Sequence, residues 1–336
     1  MNKSTINIEA FDKISEDQAS NFQQHCIEIF NFQYQNNKVY RQFCDALKVS
    51  ADKVDAIEKI PFLPIAFFKS HTIITTEFEP AAIFESSGTT TSINSKHLVK
   101  ELSIYEDSFN KAFTKFYGSP KDWCIIALLP SYLERNNSSL VMMADKLIEQ
   151  TTHVQSGFYL NDLEKLSHSL RQLEKQQQKT LLIGVTFALL DFAEQYPMPL
   201  QCTTIMETGG MKGRREELTR QEVHEILCTN FKVTNIHSEY GMTELLSQGY
   251  SNGNGIFNCP AWMKILIREE DDPLSVKVAD KNQTLAGAVN VIDLANIYSC
   301  SFIATDDAAK LYPDGSFEIL GRLDNSDIRG CSLLAL

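Results

Sequence analysis

Hydroxyl side chains and a glycine stand together in residues 86–92, directly after a short apolar run that predicts a strand. The segment reads Ser-Ser-Gly-Thr-Thr-Thr-Ser, and Lys96 follows it. The backbone N–H groups and hydroxyls of such a loop can donate to phosphate oxygens, and a lysine adds positive charge. The loop is not a Walker A loop, since Ile93 stands five residues after Gly88. The alternative is a polar surface turn, because short loops of this composition are common.

Two further loops carry residue types suited to a nucleotide. Gly209 and Gly210 follow the predicted strand Thr203–Glu207, and paired glycines let a ribose or a flat ring approach the backbone closely. Residues 238–244 read Ser-Glu-Tyr-Gly-Met-Thr-Glu. In this loop the tyrosine can cover a purine, the threonine can donate to a phosphate, and the final glutamate can hold Mg²⁺. The alternatives are an ordinary strand-to-helix turn and a loop around a buried tyrosine.

Acidic residues and an arginine near the C-terminal end complete the pattern. Residues 305–307 read Thr-Asp-Asp, and Arg322 follows Gly321. Acidic groups at a strand end suit ribose hydroxyls, and arginine suits a phosphate or a ribose. Residues 313–315, Pro-Asp-Gly, predict a hairpin turn between the two.

Strands that alternate with helices must position these loops. The predicted segments include a strand at Ala82–Glu85, a helix at Ser103–Phe116, a strand at Thr203–Glu207, a helix at Thr219–Phe231 and a strand at Val233–His237. Both helices open on Ser or Thr with Glu three residues later, which is the pattern of a capping box. The alternation indicates an α/β fold with parallel strands. From Trp262 onward shorter strands predict a β-rich subdomain, so we expect an α/β core at 1–258 and a β-rich part at 259–336.

Composition excludes several classes of protein. The 336 residues carry a formal net charge of −12, which argues against a general nucleic-acid binder. Residues 1–10 contain Lys3 and Glu9 and no apolar core, so we expect no signal peptide there, and no apolar run is long enough to span a bilayer. The eight cysteines include no Cys-x-x-Cys pair. We therefore expect a cytoplasmic protein with reduced cysteines and no membrane span.

The order of these loops resembles the adenylate-forming superfamily of acyl-CoA synthetases, adenylation domains and luciferases. Within it, the chain is most similar to LuxE-type acyl-protein synthetases, which activate fatty acids in the fatty-acid reductase complex of bioluminescence. The resemblance covers residues from about Ile60 to the C-terminus. It is carried by Pro61-Phe62-Leu63-Pro64, Phe68-Lys69-Ser70, the loop at Ser86 to Thr90, Tyr240-Gly241-Met242-Thr243-Glu244 and Arg329-Gly330-Cys331-Ser332. The fold it implies is that of the N-terminal domain of these enzymes, with layered parallel sheets and helices.

The resemblance implies ATP and Mg²⁺ as cofactors, a carboxylic acid as substrate, and an acyl-accepting reductase or transferase as partner. The residues it implies for the ATP phosphates are Ser86, Ser87, Gly88, Thr89 and Thr90. Its other implied roles are Gly209 and Gly210 beside the adenine and the acyl carbonyl, Tyr240 and Gly241 in the nucleotide motif, Thr243 at the α-phosphate, Glu244 on Mg²⁺, and Asp307 with Arg322 at the ribose. Cys331 would carry the acyl group as a thioester, and a long-chain fatty acid is the expected acid.

The sequence departs from the superfamily pattern at two places. Thr91 stands where the phosphate loop usually has a glycine, and the sequence ends five residues after Cys331. We therefore expect no C-terminal lid domain and no lid lysine, with Lys96, Lys69 or a residue of a partner as the replacement. The alternative interpretation of Cys331 is an apolar tail that tucks into the fold. Two rival functions stay open, an acyl- or aryl-CoA ligase of the phenylacetate type and a non-catalytic nucleotide-binding protein.

Overall fold

The structure is a computed structural model that describes residues 19–86, 93–129, 137–209, 218–269, 272, 274–279 and 282–323. Its helices are α1 (Ala19–Asn36), α2 (Lys38–Ala46), α3 (Phe67–Ser70), α4 (Leu102–Tyr117), α5 (Ser139–Thr151), α6 (Leu163–Lys175), α7 (Thr186–Gln195) and α8 (Arg220–Phe231). Three short 3-10 helices lie at Ala51–Lys53, Ile57–Lys59 and Pro120–Asp122. Its first eight strands are β1 (Leu63–Pro64), β2 (Ala82–Glu85), β3 (Lys96–Val99), β4 (Cys124–Leu128), β5 (Gly157–Phe158), β6 (Thr180–Gly184), β7 (Thr203–Glu207) and β8 (His237–Tyr240). The others are β9 (Gly249–Ser251), β10 (Ile256–Asn258), β11 (Met263–Arg268), β12 (Val276–Lys277), β13 (Leu285–Asp293), β14 (Phe302–Leu311) and β15 (Phe317–Arg322).

Thirteen of the described strands form one mixed sheet. Their order is β12-β11-β13-β14-β15-β10-β9-β8-β7-β6-β4-β5, with β1 added parallel to β14, while β2 and β3 form a separate antiparallel pair. Strands β5, β4, β6, β7 and β8 pair in parallel with one another. The pairs β8–β9, β9–β10, β10–β15, β15–β14, β14–β13, β13–β11 and β11–β12 are all antiparallel. Every residue of β4 and β6 is buried, which is typical of a parallel sheet covered on both faces. The carboxyl ends of β6, β7 and β8 therefore meet at one edge, where ligands bind in open α/β sheets.

The N-terminal helices attach to the β-rich part of the chain. Asn37 separates α1 from α2 and caps α2, since its side chain accepts a hydrogen bond from the backbone N–H of Tyr40. The buried amide of Gln33 in α1 donates to the carbonyl oxygens of Asn296 and Ile297 at 3.0 and 2.9 Å. The helical N-terminal region thus packs behind the segment that follows β13.

Most of the predicted elements are confirmed. Strands β2 and β7 have the predicted bounds, and α8 begins after Thr219 with the predicted capping box, in which Thr219 and Glu222 bond reciprocally. The turn at residues 313–315 joins β14 to β15 as predicted. The α/β class with a β-rich C-terminal part is therefore confirmed. The division of the chain between residues 258 and 259 stays a prediction.

Two local predictions are wrong. Helix α4 begins at Leu102 and its N-cap is Glu101, so the predicted capping box at Ser103 does not form. The reason is the link from β3, which ends at Val99 and leaves two residues before the helix. The strand predicted at Val233–His237 lies instead at His237–Tyr240, because only from His237 does the chain pair with β7. Within the described chain, no helix is both long and apolar enough to cross a membrane.

Candidate active site

A cavity of about 550 Å³ opens beside the carboxyl ends of β6, β7 and β8 and the neighbouring β14 and β15. This volume lies in the range of small-molecule pockets. The lining includes seven of the residues selected from the sequence: Ser86, Gly209, Gly241, Thr243, Glu244, Asp307 and Arg322. Residues that are far apart in sequence, on three loops and two strands, are thus brought together at one site.

The Ser/Gly/Thr segment joins β2 to β3. Ser86 follows β2, and its backbone N–H donates to the carbonyl oxygen of Ser95 at 3.1 Å. The Ser86 hydroxyl in turn accepts the backbone N–H of Ser95 at 2.9 Å. These bonds close the base of the loop against the cavity. Of the predicted phosphate ligands, Ser87, Gly88, Thr89 and Thr90 lie outside the described residues.

Lys96 and Lys69 occupy different places relative to the cavity. The Lys96 ammonium lies 3.5 Å from Glu85, and Lys96 itself is not part of the lining. Glu85 does line the cavity and also accepts a hydrogen bond of 3.0 Å from Asn137. Lys69, at the end of α3, lines the cavity directly and brings a positive charge to it.

The turn after β7 is held by Glu207. The backbone of Gly209 has φ +74°, which favours glycine, and its N–H donates to Glu207 Oε2 at 2.8 Å. Arg220 and His224 of α8 approach the other carboxylate oxygen at 3.5 and 3.8 Å. Burial would raise the pKa of Glu207, but His224, Arg220 and the Gly209 N–H together lower it to about 2. Glu207 therefore stays ionised and fixes this turn, whereas Gly210 lies outside the described residues.

Thr243 and Glu244 follow β8, and their backbone carbonyl groups accept hydrogen bonds from side chains that do not line the cavity. The buried His97 Nδ1–H donates to the carbonyl oxygen of Thr243 at 2.9 Å. The Asn296 side-chain amide donates to the carbonyl oxygen of Glu244 at 2.7 Å. Both side chains of the loop are left facing the cavity.

The next residues of the same loop are anchored by Asp293 at the end of β13. Its carboxylate accepts the backbone N–H groups of Leu246 and Ser247 at 2.7 and 3.1 Å, and the Ser247 hydroxyl at 2.6 Å. Asp293 is fully buried. The loop that presents Thr243 and Glu244 is therefore fixed by side chains from β3 and from the end of β13.

Glu244 fits the role of a magnesium ligand. Its carboxylate is 5% exposed and lines the cavity. Burial raises its pKa above the ordinary value, although the Ser95 hydroxyl and the charges of Arg322 and Lys69 oppose this. A divalent cation beside it would favour the ionised form. Mg²⁺ usually needs only one or two protein carboxylates besides phosphate oxygens and water, so one glutamate suffices.

At the predicted ribose site, the Asp307 side chain of β14 contacts side chains of β8 and β15. The Tyr240 hydroxyl donates to Asp307 Oδ2 at 2.8 Å, and Arg322 Nε lies 3.8 Å from Oδ1. Burial raises the pKa of Asp307, while Tyr240 and Arg322 oppose that rise. The Arg322 side chain is 85% exposed, so it is open to a ligand.

Tyr240 does not present its ring to the cavity. The side chain is 8% exposed and its ring packs against Phe257 and Phe317 at centroid distances of 6.0 and 5.4 Å. The purine-covering interpretation does not fit this placement, and the alternative of a buried tyrosine does. Its hydroxyl instead orients Asp307.

Sequence reasoning assigned no role to several polar residues of the lining, among them Glu85, Ser95, Glu239 and Gln248. Burial, followed by the nearby charge of Glu207, raises the pKa of Glu239 to about 8. The only sequence signal for Glu239 is its position directly before Tyr240. Cys331, the predicted acyl carrier, lies outside the described residues.

Comparison with solved structures shows which fold the chain shares. The fold is similar to that of ATP-bound MatB from Rhodopseudomonas palustris, with a TM-score of 0.52 and 16% identity over 72% of this chain and 48% of that one. An ATP-bound chimera of the same enzyme gives a TM-score of 0.50 at 15% identity, over 74% of this chain and 50% of the chimera. The chain thus spans about half the length of these enzymes. The fold class is that of the adenylate-forming enzymes, as predicted.

The chain belongs to the LuxE family of acyl-protein synthetases, since the sequence model of that family matches residues 4–335. It is 25% identical over 332 residues to the long-chain-fatty-acid–luciferin-component ligase of Aliivibrio fischeri, covering 91% of this chain and 85% of that protein. The ligase of the same name from Vibrio harveyi is 23% identical over 327 residues, covering 90% of this chain and 84% of the relative. The predicted class of enzyme, an adenylate-forming ligase of the LuxE kind, is confirmed.

Proposed function

We propose that this protein activates a long-chain fatty acid with ATP to an acyl-adenylate and then transfers the acyl group to a cysteine thiol. The observation that carries the proposal is the grouping of Thr243, Glu244, Asp307 and Arg322 around one cavity in a chain of this family. Two relatives are named as ligases of a long-chain fatty acid, and a structural neighbour is bound to ATP. These names support the choice of both substrates.

The contacts around the cavity support a division of labour for the nucleotide. Asp307, oriented by Tyr240, would accept hydrogen bonds from the ribose hydroxyls, and the exposed Arg322 would meet the ribose or a phosphate. Ser86 and the loop that follows it would hold the β- and γ-phosphates. Thr243 would donate its hydroxyl to the α-phosphate, which is where the reaction takes place. Glu244 would hold Mg²⁺, and the ion would supply charge neutralisation for the phosphates.

The first step is a displacement at the α-phosphorus. A carboxylate oxygen of the fatty acid forms a bond to this phosphorus, and the bond from phosphorus to the bridging oxygen of the β-phosphate breaks. Pyrophosphate leaves with that electron pair. The protein's part is to align the two reactants and to stabilise the added negative charge through Thr243 and Lys69. Lys69 is the better candidate for a compensating lysine, since Lys69 lines the cavity and Lys96, whose ammonium lies 3.5 Å from Glu85, does not.

The second step places the acyl group on a thiol. The thiolate of Cys331 would attack the acyl carbonyl, a thioester bond would form, and AMP would leave. A reductase or transferase would then take the acyl group from the thioester.

The test of the first step is ATP–pyrophosphate exchange with Mg²⁺ across saturated acids of increasing length and several aryl acids. We expect exchange with long-chain acids, and we expect Asp307→Asn to raise the KM for ATP about tenfold because one carboxylate acceptor is lost. Asp122→Asn is the matched control, since Asp122 is exposed at a short 3-10 helix far from the cavity lining. Exchange with aryl acids alone would favour the aryl-CoA ligase. ATP binding without any exchange would favour the non-catalytic alternative.

The second step is tested by labelling with a radioactive fatty acid. We expect ATP-dependent label on the protein that hydroxylamine releases, and we expect none on Cys331→Ser. The exchange rate of that variant should match the unaltered protein, because the thiol acts only after adenylate formation. Persistent label on Cys331→Ser would contradict the assignment of the thiol.

A further inference from the structure

The cavity has more lining than a nucleotide needs. With ATP held by Thr243, Glu244, Asp307 and Arg322 as in the proposed function, the acyl chain must take the remaining space. The rest of the lining includes Tyr105, Leu140, Met143, Val185, Glu239 and Gln248. Four of these side chains are suited to an alkyl chain, whereas Glu239 and Gln248 are not.

The side chains of Glu239 and Gln248 lie close to each other beside Gly241. A Cβ atom added to Gly241 would collide with Oε1 of Glu239 and would lie 3.3 Å from Cγ of Gln248. The φ of this glycine is not positive, so its backbone conformation does not require glycine, and the two contacts show how close both side chains lie to it. The two side chains are therefore neighbours on the cavity wall, beside Gly241.

The hydrogen-bonding capacity of this pair is unfilled. Gln248 is 4% exposed, and its Oε1 atom is buried without a hydrogen-bond partner in the described part of the chain. No described group donates a hydrogen bond to the Glu239 carboxyl either, whose pKa of about 8 keeps it protonated at neutral pH. Buried polar groups in native proteins are normally paired, so the unpaired Gln248 Oε1, beside the partly buried Glu239 carboxyl on a cavity wall, points to a partner on the ligand.

We propose that Glu239 and Gln248 form a polar subsite for a hydroxyl group close to the carboxyl of the acyl substrate. The preferred acid is then a hydroxy fatty acid rather than an unsubstituted one. The substrate hydroxyl would donate to Gln248 Oε1 and accept from the Glu239 carboxyl. An unsubstituted chain would leave both groups desolvated and unpaired, which is the situation in which sites discriminate strongly. This inference rests on the proposed adenylation function and names its substrate more closely.

The experiment compares exchange with hexadecanoic acid and with its 2-hydroxy and 3-hydroxy derivatives. We expect one hydroxy acid to exceed hexadecanoic acid in kcat/KM by about tenfold or more. Gln248→Met, which keeps the shape of the side chain and removes its polar atoms, should bring the two acids close to parity by slowing the hydroxy acid. Gln221→Met makes the same change on the exposed surface of α8 and should leave the preference unchanged.

The outcomes separate this inference from the function on which it rests. Equal or faster exchange with hexadecanoic acid in the unaltered protein would overturn the hydroxyl subsite and leave the adenylation function standing. A preference for the hydroxy acid that survives in folded Gln248→Met would also overturn it. The absence of exchange with every acid would remove the adenylation function and the subsite with it. The comparison of acids on the unaltered protein decides the matter even when the variant does not fold.

Discussion

Replacing Tyr240 with phenylalanine removes one hydrogen bond at the predicted ribose site and leaves the ring in place. The lost bond is the 2.8 Å contact from the tyrosine hydroxyl to Asp307. Both residues are buried, at 8% and 9% exposure, so water cannot readily replace the hydroxyl. Hydrogen bonds to charged groups contribute about 1.5–3 kcal/mol, and we expect Tyr240→Phe to lose about that much free energy of unfolding.

The same change should weaken ATP binding. Among the described residues, the Asp307 carboxylate without Tyr240 keeps the longer approach from the exposed Arg322 and the charge of Arg220. Its pKa rises further because the opposing hydrogen bond is gone. A carboxylate that is less well oriented and more often protonated is a poorer ribose acceptor. We expect the Kd for ATP to rise about tenfold, which corresponds to about 1.4 kcal/mol.

Tyr312→Phe provides a matched control. The Tyr312 hydroxyl also donates to a carboxylate, Glu318, but at 3.1 Å and on a half-buried hairpin away from the cavity lining. Urea unfolding at pH 7 gives the stabilities, and isothermal titration gives the ATP affinities. A Tyr240→Phe protein that is no less stable than Tyr312→Phe and binds ATP equally well would refute the role given to this hydrogen bond.

Three further predictions concern the loop after β8, acid stability and the surface. Asn296→Ala removes the 2.7 Å bond to the Glu244 carbonyl, and we expect pyrophosphate exchange to slow about tenfold while the protein stays folded. Burial, opposed by the Thr243 carbonyl, lowers the pKa of His97 to about 4, so the folded protein loses stability as the pH falls from 6.5 towards 4. His97→Gln should reduce the loss of free energy of unfolding between pH 6.5 and 4, by at most about 3 kcal/mol relative to the unaltered protein. Urea unfolding at several pH values measures this loss, and an equal loss in both proteins would contradict the role given to His97. Lys277→Ala breaks an exposed ion pair on β12 and should leave the urea midpoint unchanged, whereas a clear shift would show that such pairs matter here.

The parts of the fold that follow from local pattern were predictable. The strand at Thr203–Glu207 and the helix after Thr219 are specified by apolar residues and a capping box within one short segment. Loops at the carboxyl ends of parallel strands must converge, so the motifs after β7 and β8 could be placed together in advance. Strands β9 and β10 could not be found this way, because three residues are too few to show a period.

The supports of the site could not be read from the sequence. Tyr240 and Asp307 are separated by 67 positions, and Ser247 and Asp293 by 46. Nothing local to Asp293 indicates that it accepts backbone N–H groups from a distant loop. Similarly, the sequence around Gln248 indicates no function for it, and only its position on the cavity wall suggests a role in binding. These contacts depend on the order of strands in the sheet, which the residue pattern does not contain.

The bond between Tyr240 and Asp307 also has an evolutionary consequence. Asp307 and Arg322 stand directly opposite each other on β14 and β15, and Tyr240 reaches the same carboxylate from β8. A change at any one of the three leaves the other two with an unmatched charge or an unpaired hydroxyl. The three positions should therefore have been inherited as one unit, and a relative that lacks one of them should lack or remodel the others.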